Sequence, residues 1–157
     1  MIAENRLAAI ARKGAGLVVR KPADLLGPEV GRIAMAAPSC PLGGYTRTYL
    51  QKMGLYDELL AKAAQVNNSR SVAAAVRAGR AEAGFVYASD AGRTADCRLL
   101  FRAGRGAPSI RYAAAVVRRN KHAEEADRLV KFLTSRQAAR RFRRCGFLPP
   151  SASASRG

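Results

Sequence analysis

The sequence predicts an α/β fold with a mostly parallel sheet and helices on its faces. Three observations carry this. Short apolar runs of strand length alternate with stretches whose apolar residues recur at helical spacing. Glycine, proline and asparagine mark most of the changes between them. Hydrophobic residues make up 48% of the 157, enough to build a real core in one compact domain, or in one lobe plus an extension.

Residues 6–12 (RLAAIAR) predict a short apolar strand, followed by a turn at Lys13-Gly14-Ala15-Gly16 and a brief extended piece at Leu17-Val18-Val19. Pro22 near a helix start, with Asp24 in the first turn, predicts one helical turn over residues 21–26. Residues 31–36 (GRIAMA) predict a buried strand that runs into a sharply turning loop over residues 38–44. From residue 45 to 53 the spacing is helical, with Tyr45, Tyr49, Leu50 and Met53 on one face and Gly54 as the stop. Residues 56–64 continue as a second short helix, and Gln65-Val66 is extended.

Asn67-Asn68-Ser69 supplies N-cap chemistry for a helix over residues 70–78, with Val72, Ala75 and Val76 inward. Residues 82–87 (EAGFVY) predict a strand, and Ser89-Asp90-Ala91-Gly92 a turn or helix start. A strand over residues 98–101, a Gly-rich loop over 102–108 and a buried strand over 110–117 (IRYAAAVV) follow. Residues 124–133 predict an amphipathic helix with Ala126, Leu129, Val130 and Leu133 inward. Ser135 caps a last helix through Cys145, Gly146 ends it, Phe147 makes the apolar contact and Pro149-Pro150 breaks the chain. Residues 151–157 predict a disordered polar tail.

The charge is strongly positive: 28 Lys plus Arg against 11 Asp plus Glu, a formal +17. Such a field attracts polyanions, RNA or DNA among them, or anionic lipid surfaces. The plainer reading is compositional, and the spread of basic residues along the chain favours it. The densest cluster runs over residues 118–144, on segments that also carry helical apolar spacing. Cys40, Cys97 and Cys145 are isolated and odd in number, and read as buried structural thiols. No stretch approaches the roughly 18 apolar residues of a membrane helix. The first six residues have neither the basic nor the apolar region of a signal peptide, so the chain as written is expected in the cytoplasm.

Ligands of open α/β sheets bind at the carboxyl ends of strands, often against helix starts. Two strand-to-helix junctions stand out, residues 36–45 and 66–70. Each offers unpaired backbone N–H groups where the helix dipole favours an anion. Gly43 and Gly44 let the backbone come close to a ligand. Ser69 can donate a hydroxyl as well as its N–H, and Tyr87, at a strand end, can donate its phenol. Each has a structural reading too: a Gly-rich turn, a helix cap, a core tyrosine. No catalytic or metal-ligating set is expected. His122 is the only histidine and has no Ser or Cys partner by local motif; no phosphate-loop lysine and no Cys/His cluster exists. No cofactor is implied.

Longer motifs add a resemblance. Pro41-Leu42-Gly43-Gly44-Tyr45 leading to Leu50-Gln51-Lys52-Met53-Gly54-Leu55 is similar to the stretch P-A-G-x-Y-A…L-x-K-L-G-L/A-W of periplasmic molybdate- and tungstate-binding receptors. Ser69-Arg70 with residues 72–76 resembles their (N/D)-V-R-x-A-L-x-x-V, and residues 83–91 (AGFVYASDA) resemble A-G-I-V-Y-x-S-D-A, the most specific of the set. Residues 111–117 resemble x-Y-P-x-A-V-V, and the ending over residues 132–150 resembles F-L-x-S-x-x-A…Y-G-F-x-P. The resemblance implies one lobe of a periplasmic-binding-protein (Venus-flytrap) fold, plus the C-terminal helices of the other lobe. Residues 5–112 would be the second, ligand-binding lobe, and 113–150 the hinge return and first-lobe helices.

The function so implied is the oxyanion-binding component of an ABC uptake transporter, periplasmic or extracytoplasmic. Its ligand would be a tetrahedral oxyanion, molybdate or tungstate, held by neutral donors, and its partner a membrane permease. The matching ligand positions are Leu42 and Ser69 (backbone N–H) and Tyr87 (O–H), flanked by Gly43 and Arg70. Departures bear on this. Leu42 stands where the family has a small alanine and could crowd the anion, Ser69 replaces valine, and Ala113 replaces a proline. The family's first-lobe half before residue 5 is absent, so a truncated or degenerate receptor, or a separate first-lobe chain, is expected. The alternative is a repurposed basic lobe docking to RNA, another polyanion or a larger assembly.

Overall fold

A computed structural model describes residues 1–117, 119 and 121–150. The expected polar tail, and Arg118 at the head of the basic cluster, lie outside the described residues. In chain order the elements are β1 (Ala3–Asn5), β2 (Leu7–Arg12), a 3-10 helix (Pro22–Leu26), β3 (Ile33–Ala36), α1 (Pro41–Lys52), α2 (Tyr56–Ala61) and β4 (Ala63–Val66). Then come α3 (Ser69–Arg77), β5 (Ala83–Tyr87), the single turn α4 (Ala88–Ala91), β6 (Cys97–Arg102), β7 (Ile110–Tyr112), α5 (Ala123–Leu133) and α6 (Arg136–Arg144). They form two compact units. One is Arg6–Pro108; the other joins Met1–Asn5 to the chain from Ser109 onward.

The first unit holds a five-stranded sheet in the order β4-β3-β5-β2-β6. β3 pairs in parallel with both β4 and β5, whereas β2 is antiparallel to β5 and β6. The sheet is therefore mostly parallel in direction, with β2 running against the rest. β2 is the one strand of this unit that no preceding helix delivers, so no right-handed crossover fixes its direction. Burial follows position. All of β3 and the first five residues of β2 are buried, while the edge strands β4 and β6 are largely half-exposed. Strands covered on both faces read as unbroken apolar runs, which is why these two are legible as strands.

Helix α3 lies on the sheet through Val72 and Val76, both fully buried. It comes close because β5 carries Gly84 there: a Cβ at that position would sit 2.6 Å from Val72 Cγ1 and 2.9 Å from Val76 Cγ2. Phe85 packs edge-to-face on Phe101 at 6.2 Å. Full burial of a Val, Ile or Phe side chain contributes roughly 1.5–3 kcal/mol, and Ile10, Ile33, Phe85 and Val86 are all fully buried. α1 begins at Pro41, earlier than the expected start at Tyr45. Its first turn takes in the glycines expected in the loop, because Pro41 needs no N–H and already has helical φ. A Cβ on Gly43 would collide with the carbonyl oxygens of Ala36 and Ala37, whereas Gly44 faces open space. α2 ends at Ala61, since residues 63–66 are drawn into parallel pairing with β3.

Two cations tie loops to this unit. The Lys62 ammonium donates to the carbonyls of Leu26 (2.9 Å), Gly27 (3.1 Å) and Val30 (2.8 Å). The Arg98 guanidinium donates to the Leu17 carbonyl. Leu17 and Val19 are buried with Val18 exposed between them, but the piece joins no strand.

In the second unit β1 and β7 form an antiparallel ribbon, and Glu4 exchanges both backbone bonds with Leu148 at 2.9 and 2.8 Å. Phe147 packs edge-on against Tyr112 (5.5 Å) and Phe142 (6.0 Å). Ser135 caps α6 by accepting from the Ala138 N–H, and Gly146, at φ 84°, lets the Phe147 N–H reach back to the Phe142 carbonyl at 3.0 Å. Two expectations are corrected here. The strand from residue 110 stops at Tyr112, because β1 offers a ladder of only Ala3 to Asn5, and residues 111–117 are exposed or half-buried. Helix α5 exists, but none of its residues is buried: Ala126, Val130 and Leu133 are half-buried, and Leu129 and Phe132 are 56% and 42% exposed.

Gly84→Ala and Gly43→Ala should each lower stability to urea by about 1–3 kcal/mol through overpacking, while Gly44→Ala, a helical position facing open space, should raise it by up to about 1 kcal/mol. Equilibrium unfolding of the three variants checks this. Cys97 is buried and its thiol pKa is pushed up by that burial. At neutral pH a thiol reagent should label Cys40 and Cys145, both half-buried, at least about tenfold faster than Cys97, equivalent to about 1.4 kcal/mol of protection, and denaturant should abolish the difference.

Candidate anion-binding edge

Parallel pairing sets the site. Ala34 of β3 stands opposite Ala64 on one side and Gly84 on the other, and Ala36 stands opposite Val66. The carboxyl ends of β3, β4 and β5 therefore share one edge of the sheet. The connections leaving it are short. Residues 37–40 join β3 to α1, residues 67–68 join β4 to α3, and β5 passes directly into α4. All five residues expected at the site lie on this edge: Leu42, Gly43, Ser69 and Arg70 in the first helical positions after β3 and β4, and Tyr87 as the last residue of β5.

At the start of α1, Cys40 makes no side-chain cap and the first turn holds no acid. The first N–H groups of a helix have no intrahelical acceptor, and the dipole leaves them positive. The Ala37 N–H donates to the Val66 carbonyl at 2.8 Å, which draws the β3–α1 turn over the end of β4. Leu42 is 2% exposed, so its side chain belongs to the core and its amide is what it offers the edge. Its carbonyl accepts the buried Thr46 hydroxyl at 2.8 Å. The room made at Gly43 is taken by the chain's own carbonyls at Ala36 and Ala37.

At α3 the cap is Asn68, whose Oδ1 accepts the Ser71 N–H at 2.9 Å. Ser69 is the first helical residue and is buried; Arg70, beside it, is exposed. The Ser69 hydroxyl donates to Asp90 Oδ2 at 2.6 Å. This corrects one expectation: the hydroxyl read as a spare donor is engaged by a carboxylate, the stronger acceptor, and Ser69 is left with its amide. Tyr87 closes β5 opposite Leu7, is half-buried, and occupies the N-cap position of α4; next to it the Ala88 N–H donates to the Arg6 carbonyl at 2.8 Å. Asp90 was absent from the expected site. Its only sequence signal was membership of the Ser89-Asp90-Ala91 motif, since nothing in local spacing links residues 69 and 90.

Among the described residues, cavities of about 430, 470 and 290 Å³ lie beside Arg77 and Asp96, beside Val18 and Arg98, and between Arg32, Val66 and Ser71; none of these is lined by Leu42, Ser69 or Tyr87. Among the described residues no cluster of His, Cys, Asp or Glu could hold a metal ion, and no helix is long and apolar enough to cross a membrane. His122 is exposed, at the N-cap of α5.

The chain is similar to known proteins in sequence and in fold. The molybdate-binding protein ModA of Escherichia coli (strain K12) is 32% identical over 119 residues, 74% of this chain and 46% of that protein. YvgL of Bacillus subtilis (strain 168), provisionally assigned as an ABC transporter substrate-binding lipoprotein, is 31% identical over 121 residues, 76% of this chain and 46% of its own length. Among solved structures, the substrate-binding domain of a provisionally assigned molybdenum ABC transporter from Clostridium difficile superposes with a TM-score of 0.85 at 25% identity, covering 96% of this chain and 66% of that one. The chain thus spans about half the length of the curated relatives it matches. The sequence model of a family described as bacterial extracellular solute-binding protein matches residues 1–148, and with that span this chain belongs to that family.

Proposed function

We propose that this chain forms one anion-binding face of an oxyanion receptor serving an ABC uptake transporter outside the cytoplasm, with molybdate or tungstate as ligand and a membrane permease as partner. One observation supports the reading above the rest. Three adjacent parallel strands end on one edge, two of them in helices whose first turns carry no acid, at Leu42 and Ser69, and the third in Tyr87. Fixed backbone N–H dipoles suit an anion of one radius and charge without a lysine or arginine in contact with it. The burial of the Leu42 side chain supports a role for its amide alone. The relatives of this family are binding proteins, and the reading involves no catalysis.

A complete ring of donors needs a second wall facing this edge, supplied by further sequence or by a separate first-lobe chain. An anion held from one side stays partly hydrated, so this chain alone binds weakly. Calorimetric titration with molybdate, tungstate and sulfate at 50 and 200 mM salt tests the proposal. The expected result is binding of the two larger anions at least about tenfold tighter than sulfate (about 1.4 kcal/mol), changing by no more than about threefold between the salts. Equal response to all three anions overturns it. So does oxyanion-indifferent binding of nucleic acid that falls by about 10³ or more over that salt range, the mark of many phosphate contacts.

A further inference from the structure

We infer that Asp90 is a positioning residue for this edge, acting through the Ser69 hydroxyl. The inference rests on the anion-binding reading and goes beyond it to a side chain that contacts the amide-bearing residue rather than the ligand. Ser69 is buried as the first residue of α3, and its hydroxyl donates to Asp90 Oδ2 at 2.6 Å, a short charge-assisted bond. Asp90 lies in α4, the turn that follows Tyr87. This bond therefore joins the structure after β5 to the structure after β4, spanning the end of β3 that lies between them. Asn68 ties the Ser71 N–H to the turn before α3, but that bond stays within its own turn. The Ser69–Asp90 bond crosses the edge.

Asp90 is itself placed by its neighbours. Its carbonyl accepts the Thr94 hydroxyl at 2.8 Å and the Arg93 N–H at 3.0 Å. The α4 turn is thereby fixed from both ends, with Ala88 bonded to Arg6 on the other side. A rigid α4 holding Ser69 sets the direction of the first amides of α3, and a small change in that direction matters where donors must meet one anion. The same carboxylate adds a negative charge to an edge that receives an anion. Its hydrogen bond and its charge thus act in opposite senses on affinity.

Variants separate the two. Ser69→Ala removes the bond and leaves the charge, and should weaken molybdate binding about tenfold, the equivalent of a charge-assisted bond of about 1.4 kcal/mol; Asp90→Ala removes the bond and the charge together, and should weaken it less. Ser69→Thr keeps the hydroxyl and should restore affinity. Asp90→Asn keeps an acceptor, removes the charge, and should bind as tightly as the native chain or tighter. Amide exchange followed by NMR gives an independent readout. The Ser71 and Val72 amides, bonded to Asn68, should lose protection in Ser69→Ala, while the Leu55 and Ala78 amides should not. Unchanged affinity in Ser69→Ala, or weakening without local loss of protection, overturns the inference. If the native chain binds no oxyanion, the receptor reading falls instead, and the exchange measurement still decides whether Asp90 holds α3.

Discussion

Parallel pairing of β3 with both of its neighbours governs the rest of the sheet-bearing unit. It obliges β4 and β5 to run in the same direction as β3, so the chain must return over a face of the sheet between one strand and the next. Helices α1 to α3 are those returns. It also brings three strand ends, and with them two helix starts and a tyrosine, to a common edge. Ile33, Ala34, Met35 and Ala36 are all buried and apolar, as a strand covered on both faces requires. Gly84 saves space on the neighbouring strand, where α3 sits almost on the backbone.

Much of this was legible in the sequence, for identifiable reasons. Unbroken apolar runs located β2, β3 and β5, because strands covered on both faces need no polar alternation. Helical spacing located α3 with its inward Val72, Ala75 and Val76, since that helix buries a real face. The five residues expected at the site came from motif resemblance, and the fold brings them to one edge of the sheet. What was not legible depends on partners distant in sequence. The strand character of Ala63 and Ala64 comes from pairing with β3, and in isolation those residues read as helix. The Ser69–Asp90 bond exists only because the sheet brings two turns together. The early start of α1 was hidden because glycine argues for a loop, although Pro41 argues equally for a first helical turn.

Helix α5 shows a different boundary. Periodicity states which face of a helix is apolar, not whether anything covers it. Leu129 and Val130 follow the pattern, yet Leu129 is more than half exposed. The charge on these helices obeys local physics. Glu124 and Glu125 open α5 and Lys131 lies in its last turn, while Arg141, Arg143 and Arg144 end α6, each sign matching the dipole at its end. Arg141, Arg143 and Arg144 thus have a helix-level reason to be there, which Arg136, opening the same helix, does not share, and other cations of the chain, Lys62 and Arg98, bind loop carbonyls.

Lys62 carries a consequence of its own. Three carbonyl oxygens converge on its nitrogen, one from the last residue of the 3-10 helix and two from the segment between it and β3. A tetrahedral ammonium has three hydrogens to share among three such acceptors, whereas a guanidinium spreads its donors in a plane suited to paired oxygens. In a chain that otherwise favours arginine, this position is therefore one where the two basic residues are not equivalent, and where acylation of the amine would remove the ammonium donors that three carbonyls of one connection share.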